Sequence, residues 1–336
     1  MLNKAIIDLN AIVNNAQNIK KQLLKGKKFC AVVKADAYGH GAGAVANALY
    51  PYVDCFAVAL LEEGIELRRA GINKDILCLM PFFKNDVARA VFYGFTATVC
   101  SVEQIKVLES ECIKQGKTIK VHVKFNAGMN RQGVNYKELK EIVSFISTCK
   151  MVSLDGIYAH LSNPEDEKSR NLQVNKFLLA NNFVKGYNNK AICHISASGG
   201  LLKGVKSDMA RIGILLYGYK PFESNIISVK PAMKIIAPVL LKRKLKKGDY
   251  ALYGDKITDG NLDLSLIRYG YADGLMRREV DGQFNNRCMD TTAVTDAFSK
   301  YYTVMDDADA LAKKYGTISY EILTKSAIRA EKIYLR

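Results

Sequence analysis

Through the first two-thirds of the chain, short apolar or β-branched runs alternate with longer amphipathic stretches. The short runs predict strands over 29–33, 55–60, 76–80, 96–100, 119–125, 154–160, 192–195 and 209–214. The longer ones predict helices such as 61–70, 86–93, 102–115, 136–148 and 166–185. Eight strand-then-helix units in order predict an α/β fold built on a (β/α)8, TIM-like barrel. From about Ser228 the pattern changes to strands and tight turns, with Pro231 and Pro238 bracketing the shift. Turn signals at Lys247-Gly248-Asp249, Tyr253-Gly254-Asp255, Asp259-Gly260-Asn261 and Asp281-Gly282-Gln283 predict a mainly antiparallel β domain. The expected organisation is a barrel over 1–227 and a β domain over 228–336, with no internal repeat.

Composition narrows the class. The chain has 336 residues, 49% hydrophobic and 24% charged, as in an ordinary soluble protein with a large core. Its first residues, Met1-Leu2-Asn3-Lys4-Ala5-Ile6-Ile7-Asp8, lack an apolar stretch followed by a small-residue cleavage site. No segment reaches the roughly 18 uncharged apolar residues of a membrane span, so a cytoplasmic location without membrane attachment is expected. The eight cysteines, at 30, 55, 78, 100, 112, 149, 193 and 288, form no C-x-x-C pair and sit mostly in apolar runs. They read as small buried hydrophobes in a reducing compartment rather than disulfides or a metal site. The net charge of +16 would favour anionic partners. Only Lys242-Arg243-Lys244-Leu245-Lys246-Lys247 is a true basic cluster, however, and a solvated hairpin edge explains it better than a nucleic-acid patch.

Candidate chemistry starts at Lys34, where the apolar run Ala31-Val32-Val33 ends in an amine and breaks into Ala35-Asp36-Ala37-Tyr38-Gly39-His40-Gly41. An apolar wall disfavours the ammonium form and frees the amine as a nucleophile, for which a Schiff base to an aldehyde cofactor is the usual use. From this segment alone, a strand-end lysine that snorkels into water explains the pattern equally well. In a barrel the chemistry collects where strands end. Lys34 ends the first barrel strand, Lys124 closes the fifth with Arg131 in the loop after it, His160 ends the sixth, Ser198 follows the seventh and Arg211 lies at the eighth. Each has a dull explanation, such as a satisfied packing histidine for His160, but their joint occurrence predicts convergence on one mouth.

These residues resemble the alanine racemase family, fold-type III pyridoxal-phosphate enzymes with a barrel and a β domain. The sharpest element is Val33-Lys34-Ala35-Asp36-Ala37-Tyr38-Gly39-His40-Gly41. Gly270-Tyr271-Ala272-Asp273-Gly274 and Cys288-Met289-Asp290 are independent matches in the second domain, and similarity runs from Ile7-Asp8-Leu9 to Ile318-Ser319-Tyr320-Glu321. The resemblance implies an isomerase that interconverts L-alanine and D-alanine and feeds bacterial cell-wall peptidoglycan synthesis. Its cofactor would be pyridoxal 5'-phosphate. Lys34 would bind it and act as the base on one face of the substrate Cα, with Tyr271 as the base on the other. Racemisation requires such a pair, because a proton leaves one side of a planar carbanion and returns to the other.

By the same resemblance, Arg211 would hydrogen-bond the pyridine nitrogen, and His160 would link that arginine to the tyrosine in a positively charged chain. The phosphate would rest on Ser198, the backbone N–H groups of Gly213 and Ile214, and the hydroxyls of Tyr38 and Tyr320. Arg131 and the backbone N–H of Met289 would hold the substrate carboxylate. Lys124 matches a lysine often carbamylated in the family, and Asp290 completes the Cys288-Met289-Asp290 motif as a supporting residue. Tyr271 and Met289 would come from the partner subunit, so a homodimer with composite sites is implied. Asp36 stands where many relatives have asparagine, Ile212 where they commonly have proline, and Gln132 where a leucine usually follows the arginine. The short span between Gly274 and Cys288 bears on substrate range, because loops there wall the substrate entrance in relatives.

Two other enzymes compete: a racemase of serine, lysine or broader range, decided by pocket size, and a related pyridoxal-phosphate decarboxylase, which typically places an acidic residue rather than Arg211 at the ring nitrogen. A carrier without turnover or a nucleic-acid binder stands further off, since neither needs Tyr271 or Cys288-Met289-Asp290.

Overall fold

The computed structural model describes residues 2–250, 257–277, 287–295, 297 and 299–336. The predicted turns at Tyr253-Gly254-Asp255 and Asp281-Gly282-Gln283, and most of the span from Gly274 to Cys288, lie outside them. The chain forms two compact units, one of Val13–Ala35 and Ala42–Val229, the other of Met1–Ile12, Asp36–Gly41 and Lys230–Arg336. This grouping differs from the expected 1–227 and 228–336 at the N-terminus and at 36–41. The physical reason at the N-terminus is strand β1 (Lys4–Asp8), which was not foreseen and which pairs in the sheet of the second unit.

The first unit carries the barrel strands β2 (Lys28–Val32), β3 (Cys55–Val58), β4 (Ile76–Cys78), β5 (Ala97–Val99), β6 (Ile119–Lys124), β7 (Val152–Tyr158), β8 (Ile192–His194) and β9 (Met209–Ile212). Every one falls within or overlaps a predicted strand. They pair in parallel as two four-stranded sheets, β4-β3-β2-β9 and β5-β6-β7-β8. Single bridges at Leu77–Thr96 and Ala197–Arg211 join the sheets at both seams and close the ring. Burial on both faces explains why these strands read as unbroken apolar runs: Phe29, Ala31, Phe56, Val121 and Val123 are all fully covered.

Helices follow the strands much as the amphipathic pattern predicts, at Leu61–Arg69, Val87–Phe92, Val102–Gln115, Tyr136–Ile146 and Glu167–Tyr187. Local chemistry sets their starts. Ser101, Asn135 and Asp166 each accept a backbone N–H of the first turn, from Gln104, Glu138 and Ser169 respectively. Additional short helices at Ala42–Leu49 and Ser198–Leu202 were not predicted; they are small-residue stretches with little amphipathic contrast.

The second unit is a mixed sheet of β1 with β10 (Met233–Leu245), β11 (Leu262–Ile267), β12 (Thr292–Val294), β13 (Tyr301–Met305) and β14 (Glu331–Leu335). The order is β12-β11-β10-β1-β14, with β13 also on β10. All pairings are antiparallel except β1 on β14. Two helices, Ala308–Tyr315 and Ser319–Ser326, belong to the same unit. The basic cluster lies at the exposed end of β10, where Lys242, Arg243 and Lys244 pair with Ser265, Leu264 and Asp263 of β11. It is a solvated hairpin arm. Among the described residues no helix is long and apolar enough to cross a membrane.

Candidate active site

Lys34 opens a five-residue helical turn, Lys34–Tyr38, that is left-handed. Ala35, Asp36, Ala37 and Tyr38 have φ of 51°, 52°, 54° and 55°, so the backbone reverses its hand before the first glycine is reached. L-residues adopt this conformation at a cost of about 1–2 kcal/mol each. Named partners offset it. The Glu63 carboxylate accepts the Ala35 N–H at 2.7 Å with one oxygen, and with the other the N–H groups of Ala59 and Leu60 at 2.7 and 3.0 Å. Further along, Gly41 N–H donates to the Asp36 carbonyl at 2.9 Å, and the Asp36 carboxylate pairs with Lys332 at 2.8 Å. Gly39 is obligatory: its φ is 83°, and a Cβ there would stand 2.5 Å from the Leu323 carbonyl oxygen.

The barrel brings the expected cations together. Burial, first, and the Arg131 charge, second, hold the Lys34 amine below the ordinary lysine range, with Glu63 opposing them. Lys124, buried at the end of β6, is pushed down to about 6 by burial and by the charges of Arg211 and Arg131. Its Nζ sits 4.4 Å from the centre of the Tyr158 ring. Arg131 itself is exposed, on a loop built by Asn126, whose side-chain oxygen accepts the N–H groups of Gly128 and Asn130 at 3.1 Å each. Gln132, which departs from the family pattern, lies within 4.0 Å of the Cys100 sulfur and donates to the Leu79 carbonyl at 3.5 Å.

Arg211 is the most constrained of these groups. Its Nη1 donates to the carbonyl and to Nδ1 of His194, both at 2.7 Å, and its Nη2 donates to the Ala159 carbonyl at 2.7 Å. Its guanidinium carbon stands 5.1 Å over the Tyr158 ring. Tyr158 in turn stacks on His194 at 5.0 Å and 7°. Its hydroxyl reaches Thr98 at 2.9 Å and the Leu79 carbonyl at 3.0 Å. His160 Nδ1 is 3.5 Å from Arg211 Nη2. Burial and then the charges of Arg211, Lys124, Arg131 and Lys34 push this imidazole down to about 3. It is neutral near pH 7, so the expected positively charged chain carries its charge on the arginine and not on the histidine.

Ser198 and the Gly213-Ile214 step lie just beyond the Ala197–Arg211 bridge, and both are buried. Thus Lys34, Lys124, Arg131, His160 and Arg211 share one electrostatic environment, with Ser198, Gly213 and Ile214 on the adjoining strand ends. The pattern of strand ends missed Tyr158, His194, Thr98 and Glu63. A signal existed for His194, which closes a strand as His160 follows one. None existed for Glu63, which reads as an ordinary first-turn acid of a helix.

The second unit assembles the remaining candidates. Tyr38 and Tyr320 have ring centroids 5.9 Å apart, and burial holds both phenols in the neutral form, that of Tyr320 being pushed up to about 12. Tyr271 begins a short 3-10 turn, Tyr271–Asp273, and is 38% exposed. The two motifs of this unit are sewn together by their backbones: Tyr271 N–H donates to the Cys288 carbonyl at 3.1 Å and Ala272 N–H to the Met289 carbonyl at 2.9 Å. Gly270 permits the approach, since a Cβ there would stand 2.2 Å from the Met289 carbonyl oxygen. Buried Asp273 accepts from Gly270 N–H at 2.9 Å and from Asn3 at 3.1 Å. Arg329 bridges Asp290 at 2.8 Å and Asp273 at 3.5 Å.

The model of the alanine racemase N-terminal domain matches residues 7–221. The alanine racemase of Aquifex pyrophilus is 31% identical over 360 residues, covering 100% of this chain and 99% of that one. Among solved structures, the alanine racemase of Clostridium difficile 630 superposes with a TM-score of 0.92 at 29% identity, covering 100% and 96% of the two chains. That of Bacillus anthracis, solved with bound L-Ala-P, gives 0.88 at 29% identity, covering 99% and 94%. By sequence over its whole length and by fold, the chain belongs to the alanine racemase family.

Proposed function

We propose that the chain interconverts L-alanine and D-alanine with pyridoxal 5'-phosphate as cofactor, supplying D-alanine for peptidoglycan in the cytoplasm. The donor set fits that cofactor. A half-buried amine held below its usual range, a donor-only guanidinium, neutral tyrosine hydroxyls and a cluster of cations suit a ligand with an aldehyde, a ring nitrogen acceptor and a phosphate dianion. Lys34 would hold its aldehyde carbon and Arg211 its ring nitrogen. Ser198, the N–H groups of Gly213 and Ile214, Tyr38 and Tyr320 would hold its phosphate. When bound, the cofactor supplies the electron sink that stabilises negative charge on the substrate α-carbon.

The chain's own residues do the rest. Lys34 Nζ, held below the ordinary lysine range by burial and by Arg131, takes up or delivers the α-proton on one face. Tyr271 Oη does so on the other. Arg131 and the Met289 N–H orient the substrate carboxylate, with Lys124 beside Arg131 and Asp290 anchoring the Met289 turn through Arg329. Arg211 has no proton to give up and so leaves its partner nitrogen unprotonated, which weakens withdrawal into the ring and favours return of the proton to carbon. Tyr271 and Met289 act in the partner subunit's site, making the homodimer the active unit.

The lowered amine of Lys34 beside Arg131, in the set of cations that converges with Lys124 and Arg211 on His160, carries this assignment. Chiral product analysis with single amino acids tests it. Racemisation is expected with alanine, and a higher kcat/KM for lysine or serine, or release of CO2, would overturn the substrate or the reaction.

A further inference from the structure

On the side of His194 away from Arg211, a second buried histidine and a carboxylate continue the line. His194 Nε2 lies 2.8 Å from His122 Nδ1, and His122 Nε2 lies 3.3 Å from Asp155 Oδ2. Both rings are buried, and the Asp155 side chain is 33% exposed. Only one direction of hydrogen bonding satisfies the row. A guanidinium has donors and no acceptor, so His194 Nδ1 accepts from Arg211. His194 therefore carries its proton on Nε2 and donates to His122 Nδ1. His122 then carries its proton on Nε2 and donates to the carboxylate.

Local backbone is shaped for this row at two further places. The β6–β7 register shifts between Val121 and His122, which pair with Leu154 and Gly156, leaving Asp155 as the extra residue of a bulge. Gly156 provides room both for the neighbouring strand and for the ring: a Cβ there would stand 2.5 Å from the Ile192 carbonyl oxygen, 2.8 Å from His122 Cε1 and 2.9 Å from its Nε2. The groups around the row fall into two sets. Arg211 and Lys124 face His194, while Lys120 and Lys28 flank Asp155, which its hydrogen bond from His122 holds below the usual carboxylate range.

We propose that Asp155 is a positioning residue for Arg211: the guanidinium sets the Nε2–H tautomer of both imidazoles, and Asp155, a carboxylate reached by solvent, accepts the last proton of the row and so holds the His122 and His194 rings in the orientation that meets the buried guanidinium. The effect on turnover rests on the racemase reading above; the tautomers do not.

The test uses the full-length enzyme as purified, labelled with 15N-histidine, as wild type and as Asp155→Ala, Asp155→Asn and Gly156→Ala. In the wild type, His194 and His122 are expected to show a protonated Nε2 and a bare Nδ1. Asp155→Ala is expected to shift the nitrogen resonances of His122, and less strongly those of His194, as the Nε2–H of His122 loses its acceptor and the rings lose their fixed orientation, with both tautomers unchanged. Asp155→Asn, which keeps an acceptor oxygen, is expected to restore the wild-type pattern. Gly156→Ala is expected to perturb His122 with Asp155 intact, which keeps the test open should the first variant fold poorly. For alanine racemisation, Asp155→Ala should lower kcat by about tenfold at unchanged KM, by analogy with the outer hydrogen-bond partners of metal-ligating histidines, whose loss costs about 10- to 100-fold. A protonated Nδ1 on either ring in the wild type, or identical spectra in wild type and Asp155→Ala, would overturn the relay. Shifted spectra with unchanged kcat would overturn its role in catalysis. An enzyme inactive on alanine with the expected tautomers would instead overturn the substrate assignment and leave the relay standing.

Discussion

The two units prepare their chemistry in opposite ways. In the barrel, Lys124, His194 and Arg211 are buried, and desolvation with mutual repulsion shifts what their side chains can do. In the second unit, Tyr271 and Met289 are 38% and 55% exposed, and what the fold supplies is a fixed backbone: two hydrogen bonds between motifs and a buried Asp273 beneath them. Low dielectric tunes the first set, whereas in the second the backbone fixes how the side chains are presented.

Four substitutions probe this contrast. Lys34→Ala should have the largest effect, lowering alanine racemisation by about 10^4-fold or more, because nucleophile and base are lost together. Chiral chromatography checks it, and a visible spectrum lacking the cofactor band should accompany it. Tyr271→Phe should cost about 10^2- to 10^4-fold in kcat while leaving the melting temperature unchanged, since its hydroxyl belongs to a side chain the fold leaves partly exposed. Undiminished turnover there would remove the two-base mechanism.

Gly270→Ala attacks presentation without touching a functional side chain. The added methyl overlaps the Met289 carbonyl, and overpacking of that kind destabilises by about 1–3 kcal/mol. Denaturant unfolding should register this, and activity should fall even in the fraction that remains folded. Lys124→Met probes the pH dependence of stability rather than turnover. As pH falls below the ordinary lysine value of 10.5, the unfolded chain binds a proton that the folded chain refuses until about 6, so this amine makes stability decline across that window and level off below it. The stabilisation of Lys124→Met over wild type should therefore be greatest below pH 6 and fade toward pH 10.5 in urea titrations. A constant difference across that range would show that the free amine is not what titrates.

Much of this was legible in the sequence for a physical reason. The barrel strands are buried on both faces, so each is a short apolar run between amphipathic stretches, and all eight predicted positions hold a strand. Lys34, Lys124, His160 and Arg211 stood out because a polar, titratable group at the end of such a run costs energy that packing does not return. By contrast, β1 is five residues with one buried face and pairs with β10 and β14, more than 200 residues away in the chain. Nothing local distinguishes it.

Sequence alone determined the order of the barrel strands and of the longer helices between them, the family signature and the identity of the residues at strand ends, because hydrophobic period and residue chemistry are local properties. Tertiary structure decided what long-range approach creates: the left-handed turn after Lys34 held by Glu63, the neutral state of His160, and the junction of Tyr271 with Met289 through Gly270. Each depends on groups from distant parts of the chain sharing a volume with little water, where charge, strain and hydrogen bonds acquire magnitudes that no window of sequence contains.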